Sequence, residues 1–406
     1  MASEWEIVKL GGICDKIGSG ATPKGGKDTY CSEGISLIRS QNVLDFAFSD
    51  DGLAYINDEQ ARKLNNVDVK PRDVLLNITG DSVARTCMVE DNYLPARVNQ
   101  HVAIIRGNAE KVISSYLLYF LQMEKPHLLQ LASAGATRNA LTKGMIEQLE
   151  LALPPLDEQR RIVGLLDVLQ RKINTNNKIN DNLQQQLRAT FMEQFTNNPA
   201  LDSIQQVTLS ELCTVVTKGT TPTTLGKPFV DRGINFLKAE SILDNHSLDK
   251  GKIAHIDEDT HGMLKRSVIY AGDIVFTIAG TLGRFALIDS DILPANTNQA
   301  VAIIRADKEK ISPEYLYACF IGNWHNDYYS KRIQQAVQAN LSLTTIRSLP
   351  IPVLTQDEMV SYMALISPII RMLKQNEMEN ERLAAIRNSL LPRLMSGEIG
   401  VSGIDI

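Results

Sequence analysis

No run of 18 apolar residues occurs anywhere in the 406-residue sequence, and its start, MASEWEIVKL, has neither the basic region nor the apolar core of a secretory signal. A membrane-spanning or exported chain is not expected, and a cytoplasmic protein fits best. Cysteine is sparse. Cys14, Cys31, Cys87, Cys213 and Cys319 are odd in number and form no CxxC pair, which argues against a disulfide scaffold and a zinc ribbon. Cys14 and Cys213 sit in apolar surroundings, where a small buried side chain is the ordinary reading.

Chemistry-bearing motifs are missing as well. The six histidines, His101, His127, His246, His255, His261 and His325, supply no H-E-x-x-H pair and no ligand spacing with cysteine. GATPKGGKD at 20–28 fails the phosphate-loop spacing, and Asp28 stands where Ser or Thr is needed. KGTTPTTLGKP fails the same test. There is no dinucleotide fingerprint, no G-x-S-x-G elbow and no NPPY-like adenine-methylation motif. No catalytic residue, metal or cofactor is therefore expected in this chain. An excess of basic charge is also absent: 42 Lys and Arg against 47 Asp and Glu leave a net charge of −5, so any anionic partner must meet a local basic surface.

What the sequence has is a core and a repeat. With 44% hydrophobic and 22% charged residues it reads as globular, and its length suggests two to four domains. Gly20, Thr22 and Pro23 reappear as Gly219, Thr221 and Pro222, an offset of 199 that also relates Leu10 to Leu209, Cys14 to Cys213 and Gly34 to Gly233. LIRSQNV at 37–43 corresponds to FLKAESI at 236–242, RDVLLNITG at 72–80 to GDIVFTIAG at 272–280, and NQHVAIIR at 99–106 to NQAVAIIR at 298–305. Tyr116-Leu117 and Tyr315-Leu316 follow. A period this long implies two complete folding units rather than stacked blades. Between landmarks the copies diverge, as in ARKLNNVDVK against HGMLKRSVIY.

Short apolar runs such as VLLNI, VAIIR and IVFTI, bounded by Gly, Pro, Asp and Asn, predict buried strands, while ISSYLLYFLQ and SPEYLYACFIG predict one-faced helices. Each copy is α+β. Each ends at a proline-marked boundary, LALPPLDEQRRI or LPIPVLTQDEMV, where a long helix begins. Asp157 is placed to cap the first, and Thr355 with Glu358 forms a capping box for the second. Ile162, Leu166, Leu169, Ile173, Leu183 and Leu187 make a coiled-coil seam, as do Ile366, Ile369, Leu373, Leu383, Leu390 and Leu394. Polar breaks at Asn176 and Asn180 match those at Asn376 and Asn380, which suggests that the helices face one another, antiparallel by the pseudo-symmetry of the duplication. Pro368 should bend or interrupt the second.

The expected architecture is thus two similar globular domains separated by two long helices forming an antiparallel coiled coil. The segments are 1–155 for the first domain, 156–200 for the central helix, 201–354 for the second domain, and 355–406 for the distal helix and tail.

The G-x-TP loop, the isoleucine-rich strands with TG or AG loops, NQ-x-V-A-I-I-R, PPLDEQRRI and the closing SLLPRLMSGEI together resemble the specificity subunits of type I restriction-modification systems, across nearly the whole chain. That resemblance implies a non-catalytic subunit that reads a split, asymmetric site on double-stranded DNA. Each domain would be a target-recognition domain for one half, and the helices would set the separation of the halves. It implies two modification (methyltransferase) subunits and restriction (translocase/endonuclease) subunits as partners, with S-adenosylmethionine, ATP and Mg on those partners. VLTQDEMV departs from PPLDEQRRI, so Glu158 and Gln159 have only a partial counterpart, Glu358 and Met359, and the two junctions are not equivalent.

Candidate DNA contacts are Lys24, Lys27, Arg39, Gln41, Asn42, Arg85 and Arg138 in the first domain, and Lys218, Lys227, Lys238, Arg284 and Lys331 in the second. Arg85 and Arg284 match after glycine loops, which favours a shared phosphate or scaffold role. Asn99-Gln100 and Asn298-Gln299 are expected to satisfy backbone groups, and Thr22-Pro23 and Thr221-Pro222 to shape a turn. The alternatives are a coiled-coil scaffold with no nucleic-acid specificity and a self-sufficient endonuclease or methyltransferase, which the missing motifs disfavour.

Overall fold

Side chains alternate across a strand, and here both faces of the central strands are apolar, so each domain is layered. The computed structural model describes residues 5–134, 140–196, 204–324 and 340–401. Val74–Asn77 pairs antiparallel with Val102–Gly107 in the register Val74 to Ile105 and Leu75 to Ile104. Val74, Leu76, Ala103 and Ile105 enter one core with Tyr116, Leu117 and Phe120 of the helix Ser114–Met123. Leu75, Val102 and Ile104 enter another with Leu37, Ile38, Ala96 and Val98 of a second sheet. That double burial explains why VLL and VAII are continuous apolar runs rather than alternating ones.

The first sheet has the order Cys14–Ser19, Val102–Gly107, Val74–Asn77, Thr86–Met88, all antiparallel. The second runs Ala54–Ile56, Ile35–Ile38, Ala96–Val98, Asp68–Val69, with its two middle strands parallel. Glu6–Lys9 pairs with Glu150–Leu153, bringing the domain's start to the base of the long helix. The second domain repeats this plan strand for strand, from Gln206–Thr208 to Pro350–Pro352.

Two long helices follow the domains, Leu156–Phe191 (α1) and Gln356–Met395 (α2). The chain divides into two compact units, Met1–Thr175 with Glu379–Ile406, and Asn176–Met378. Each unit therefore contains the first half of one long helix and the last half of the other. In the first, Ile162, Val163 and Leu166 share a core with Leu391, Leu394 and Met395, and Lys172 pairs with Glu379 at 3.1 Å while Arg387 donates to Gln170. Numbers rise on one helix as they fall on the other, so the pair is antiparallel. In the second, Asn180 meets Asn376 and the ring of Phe195 meets that of Tyr362 at 5.5 Å, the same sense.

The capping box forms as expected, with the Thr355 N–H donating to Glu358 Oε2 at 2.9 Å. Those bonds hold the Glu358 carboxyl below the usual carboxylate range. Asp157 lies inside α1 rather than at its cap, because Pro155 already accepts from the Glu158 and Gln159 N–H groups. Nor is α2 interrupted at Pro368: one lost backbone bond is outweighed by continuous helix on both sides and by buried Ile366, Ile370 and Leu373. Gln159 is wholly buried, accepting from Ile113 N–H at 2.9 Å and donating to the carbonyls of Lys111 and Pro154, so in the first copy it locks the base of α1 onto its own domain.

Candidate nucleic-acid interface

The repeated glycines mark a backbone crossing. A Cβ on Gly20 would fall 1.7 Å from the Val98 carbonyl oxygen, and one on Gly219 1.9 Å from that of Thr297, so only glycine lets the loop pass. The next residues tie this loop to the NQ turn. Thr22 Oγ1 donates to Gln100 Oε1, and Thr221 donates to Gln299 Oε1 through both its N–H (3.1 Å) and its hydroxyl. Asn99 and Asn298 accept from the N–H two residues on, at 3.0 and 3.1 Å. Asn99, Asn298 and Gln299 thus serve backbone N–H groups, as expected, whereas Gln100 bonds the side chains of Thr22 and His101.

A second repeated device escaped the sequence reading. Asp73 is 1% exposed and takes both arms of Arg106 at 2.7 Å; Asp273, also 1% exposed, takes both arms of Arg305 at 2.7 Å. These pairs raise both arginine pKa values and brace the strand junctions below the loops. The signal was available, since the Asp of RDVLLN and GDIVFT and the last Arg of each VAIIR recur in both copies.

On this frame, the candidate DNA contacts of the first domain separate. Gln41 and Arg85 come together, lining one shallow cleft with Ser40, Thr79 and His101. The Arg85 side chain has no hydrogen-bond or ion-pair partner among the described residues. Arg39 turns away: it donates to the Gly52 carbonyl and lies 5.7 Å from the Tyr30 ring centre. Asn42 is excluded from contact with DNA, being fully buried, with its amide spent on the carbonyls of Ser49 and Asp51 and on the Arg39 N–H. It shapes the turn, as Ser241 does in the second copy by accepting from the Lys238 N–H. Lys24 is exposed on its turn, and Lys27 lies on the short helix Gly26–Thr29, its side chain outside the described positions. Arg138 lies outside the described residues.

In the second domain Arg284 departs from its counterpart. Its Nε and Nη2 bind the two carboxylate oxygens of Asp244 at 2.5 and 2.6 Å, so the matched arginines do not share one state. Lys238 packs 4.8 Å from the Phe229 ring centre. Lys218 is exposed at the end of the strand Cys213–Lys218, Lys227 is half-buried, and Lys331 lies outside the described residues.

Burial pushes the Cys14, Cys87 and Cys213 thiols up to about 12, which keeps them protonated and unreactive. Among the described residues no group of three or more His, Cys, Asp or Glu could hold a metal ion, and no helix is long and apolar enough to cross a membrane.

The comparisons agree with this duplicated plan. Residues 2–185 and 202–384 each match the family described as type I restriction modification DNA specificity domain. The chain is 23% identical to the type I restriction enzyme HindI specificity subunit of Haemophilus influenzae, covering 98% of this chain and 100% of that one. It is 22% identical to the type I restriction enzyme MjaVIII specificity subunit of Methanocaldococcus jannaschii, covering 99% and 94%. In fold it is similar to the type I restriction-modification S subunit from M. genitalium, with a TM-score of 0.51, 14% identity, and coverage of 97% and 96%. None of these similarities supports the scaffold alternative. With both halves of its duplication matched, the chain belongs to the type I restriction-modification specificity family.

Proposed function

We propose that this chain reads a split, asymmetric site on double-stranded DNA, one half per domain, within a cytoplasmic complex with two modification subunits and with restriction subunits. The observation that carries the proposal is one frame with two sets of polar groups. Gln41, Thr79 and His101 of the first domain correspond to Glu240, Ala279 and Ala300 of the second, and an Arg85 whose side chain is unpaired among the described residues corresponds to an Arg284 held by Asp244. Equal scaffolds with unequal surfaces recognise unequal half-sites.

As a member of its family the chain is the recognition component, not the catalytic one. S-adenosylmethionine, ATP and Mg would act on the partner subunits. Helices of 36 and 40 residues span roughly 54 and 60 Å, a length suited to setting the spacing of two half-sites. Groups offered to DNA are Lys24, Gln41 and Arg85 from the first domain and Lys218 and Lys227 from the second.

Mapping methylated adenines genome-wide, with and without the gene, tests this. Loss of one two-part motif is expected on deletion; an unchanged methylome in an active system overturns the proposal.

A further inference from the structure

We infer that the cleft of the first domain reads a G·C base pair in the major groove, with Arg85 on guanine, and that the equivalent place in the second domain is closed to that use. The inference rests on the DNA-reading function proposed above.

Three features make this cleft a reader of base edges rather than a phosphate seat. The first is Arg85 itself, half-buried at the cleft wall with its guanidinium unspent among the described residues. Two parallel N–H donors match O6 and N7 of guanine, an arrangement that no other base edge offers. The second is Gln41. Its amide nitrogen faces the carbonyls of Asp51 and Gly52 at 3.2 and 3.4 Å, and two acceptors there fix the flip of the amide. The Oε1 that remains is an acceptor, matched to the N4 amine of the paired cytosine. The third is Asp81, exposed at the cleft rim, whose negative charge repels a phosphate.

A relay positions the cleft. Thr22 donates to Gln100 Oε1, which leaves the Gln100 amide nitrogen to donate to His101 Nε2 at 3.1 Å. His101 is then protonated at Nδ1 and donates to Thr79 Oγ1 at 2.6 Å, and the Thr79 hydroxyl proton is left for the cleft. The second domain stops this relay at Gln299, because Ala300 and Ala279 replace His101 and Thr79. Asp244 there occupies the arginine fork that would meet guanine.

The test uses the full chain in its own host with its native partner subunits, reading the adenine-methylation motif of the wild type, Arg85→Lys and Arg85→Ala. Lysine keeps the charge and loses the fork, so Arg85→Lys is expected to relax one G·C position in one half of the motif, by about 10- to 100-fold in discrimination, and to leave the other half intact. In a salt series on the purified assembly its slope should match that of the wild type. An unchanged motif with both variants overturns the inference, as does relaxation at an A·T position. So does uniform weakening on all sequences by Arg85→Ala with a shallower salt slope, which marks a phosphate contact. A wild-type chain that writes no two-part motif overturns the underlying function instead, so the two failures are distinct.

Discussion

Asn376 on α2 donates its side-chain N–H to the side-chain oxygen of Asn180 on α1 at 2.7 Å, within a seam that also buries Leu183, Leu187, Ile370 and Leu373. Such a bond costs stability against an apolar pair but penalises every register that leaves one amide alone. Replacing Asn376 by Leu should destabilise the second unit by about 1–3 kcal/mol, because Asn180 is then buried without that partner. The double replacement by Leu should recover most of the loss or exceed the wild type. A double-mutant cycle in urea checks this, and additive losses would show that the two amides do not act together.

The close crossing at Gly20 gives a harsher prediction. Gly20→Ala puts a methyl group 1.7 Å from the Val98 oxygen and 2.8 Å from that of Asn99, both backbone atoms that cannot swing aside. The loop must part from the NQ turn and lose the Thr22 to Gln100 bond. A loss above about 3 kcal/mol is expected, comparable to the largest single-residue effects, and denaturant melting measures it directly. Gly12→Ala, which meets nothing within 4 Å, serves as the control.

How far the sequence reveals this molecule differs by layer. Periodicity and repetition gave the strands, the domain plan and the facing helices, because burial imposes those patterns on many residues at once. The state of single side chains was not legible. Arg85 and Arg284 align in sequence, yet the first is unspent among the described residues and the second is clamped by Asp244, a residue 40 positions upstream. Its aligned counterpart Asp45 instead pairs with Lys125. Asn42 is a candidate DNA contact by residue type alone; the turn around Ser49 and Asp51 uses its amide instead. Such assignments depend on contacts distant in sequence, which residue type alone does not encode.

Buried ion pairs behave asymmetrically, and the pair Asp73 with Arg106 should show it. Removing the arginine strands a carboxylate that is 1% exposed, at a cost of about 3–5 kcal/mol. Arg106→Ala should therefore destabilise the first unit far more than the exposed-pair variant Lys63→Ala, whose ion pair with Glu59 is open to solvent. Equal effects in urea denaturation would show that the Asp73 site is wetter than its burial implies.

Acid should loosen the second unit through His246. The ring stacks on Phe285 at 3.9 Å, and burial, followed by the charge of Arg188, lowers its pKa from 6.5 to about 4. A base with a depressed folded pKa favours the fold while neutral, so its contribution is complete above pH 6.5 and declines as pH falls toward 4. The loss across that window is on the order of 3 kcal/mol. Asn tolerates the left-handed backbone at this position, where φ is 64°, and does not titrate. In His246→Asn, stability between pH 4 and 6.5 should follow a flatter curve than in the wild type, whatever its absolute value. Parallel curves would assign the acid sensitivity to other groups.

Freeing Arg284 offers a gain rather than a loss. Asp244 is exposed, so Asp244→Ala should change the stability of the second unit by less than about 1 kcal/mol. It removes the anion that binds Nε and Nη2, leaving a guanidinium held, among the described residues, by the Ile242 carbonyl at 3.3 Å. If the second domain meets DNA on this side, the released charge adds a phosphate contact. The logarithmic salt slope of duplex binding then steepens by about 0.9, and affinity for all sequences rises together. An unchanged slope, with the protein still folded, would place Arg284 away from the DNA path and confine its pairing with Asp244 to the scaffold.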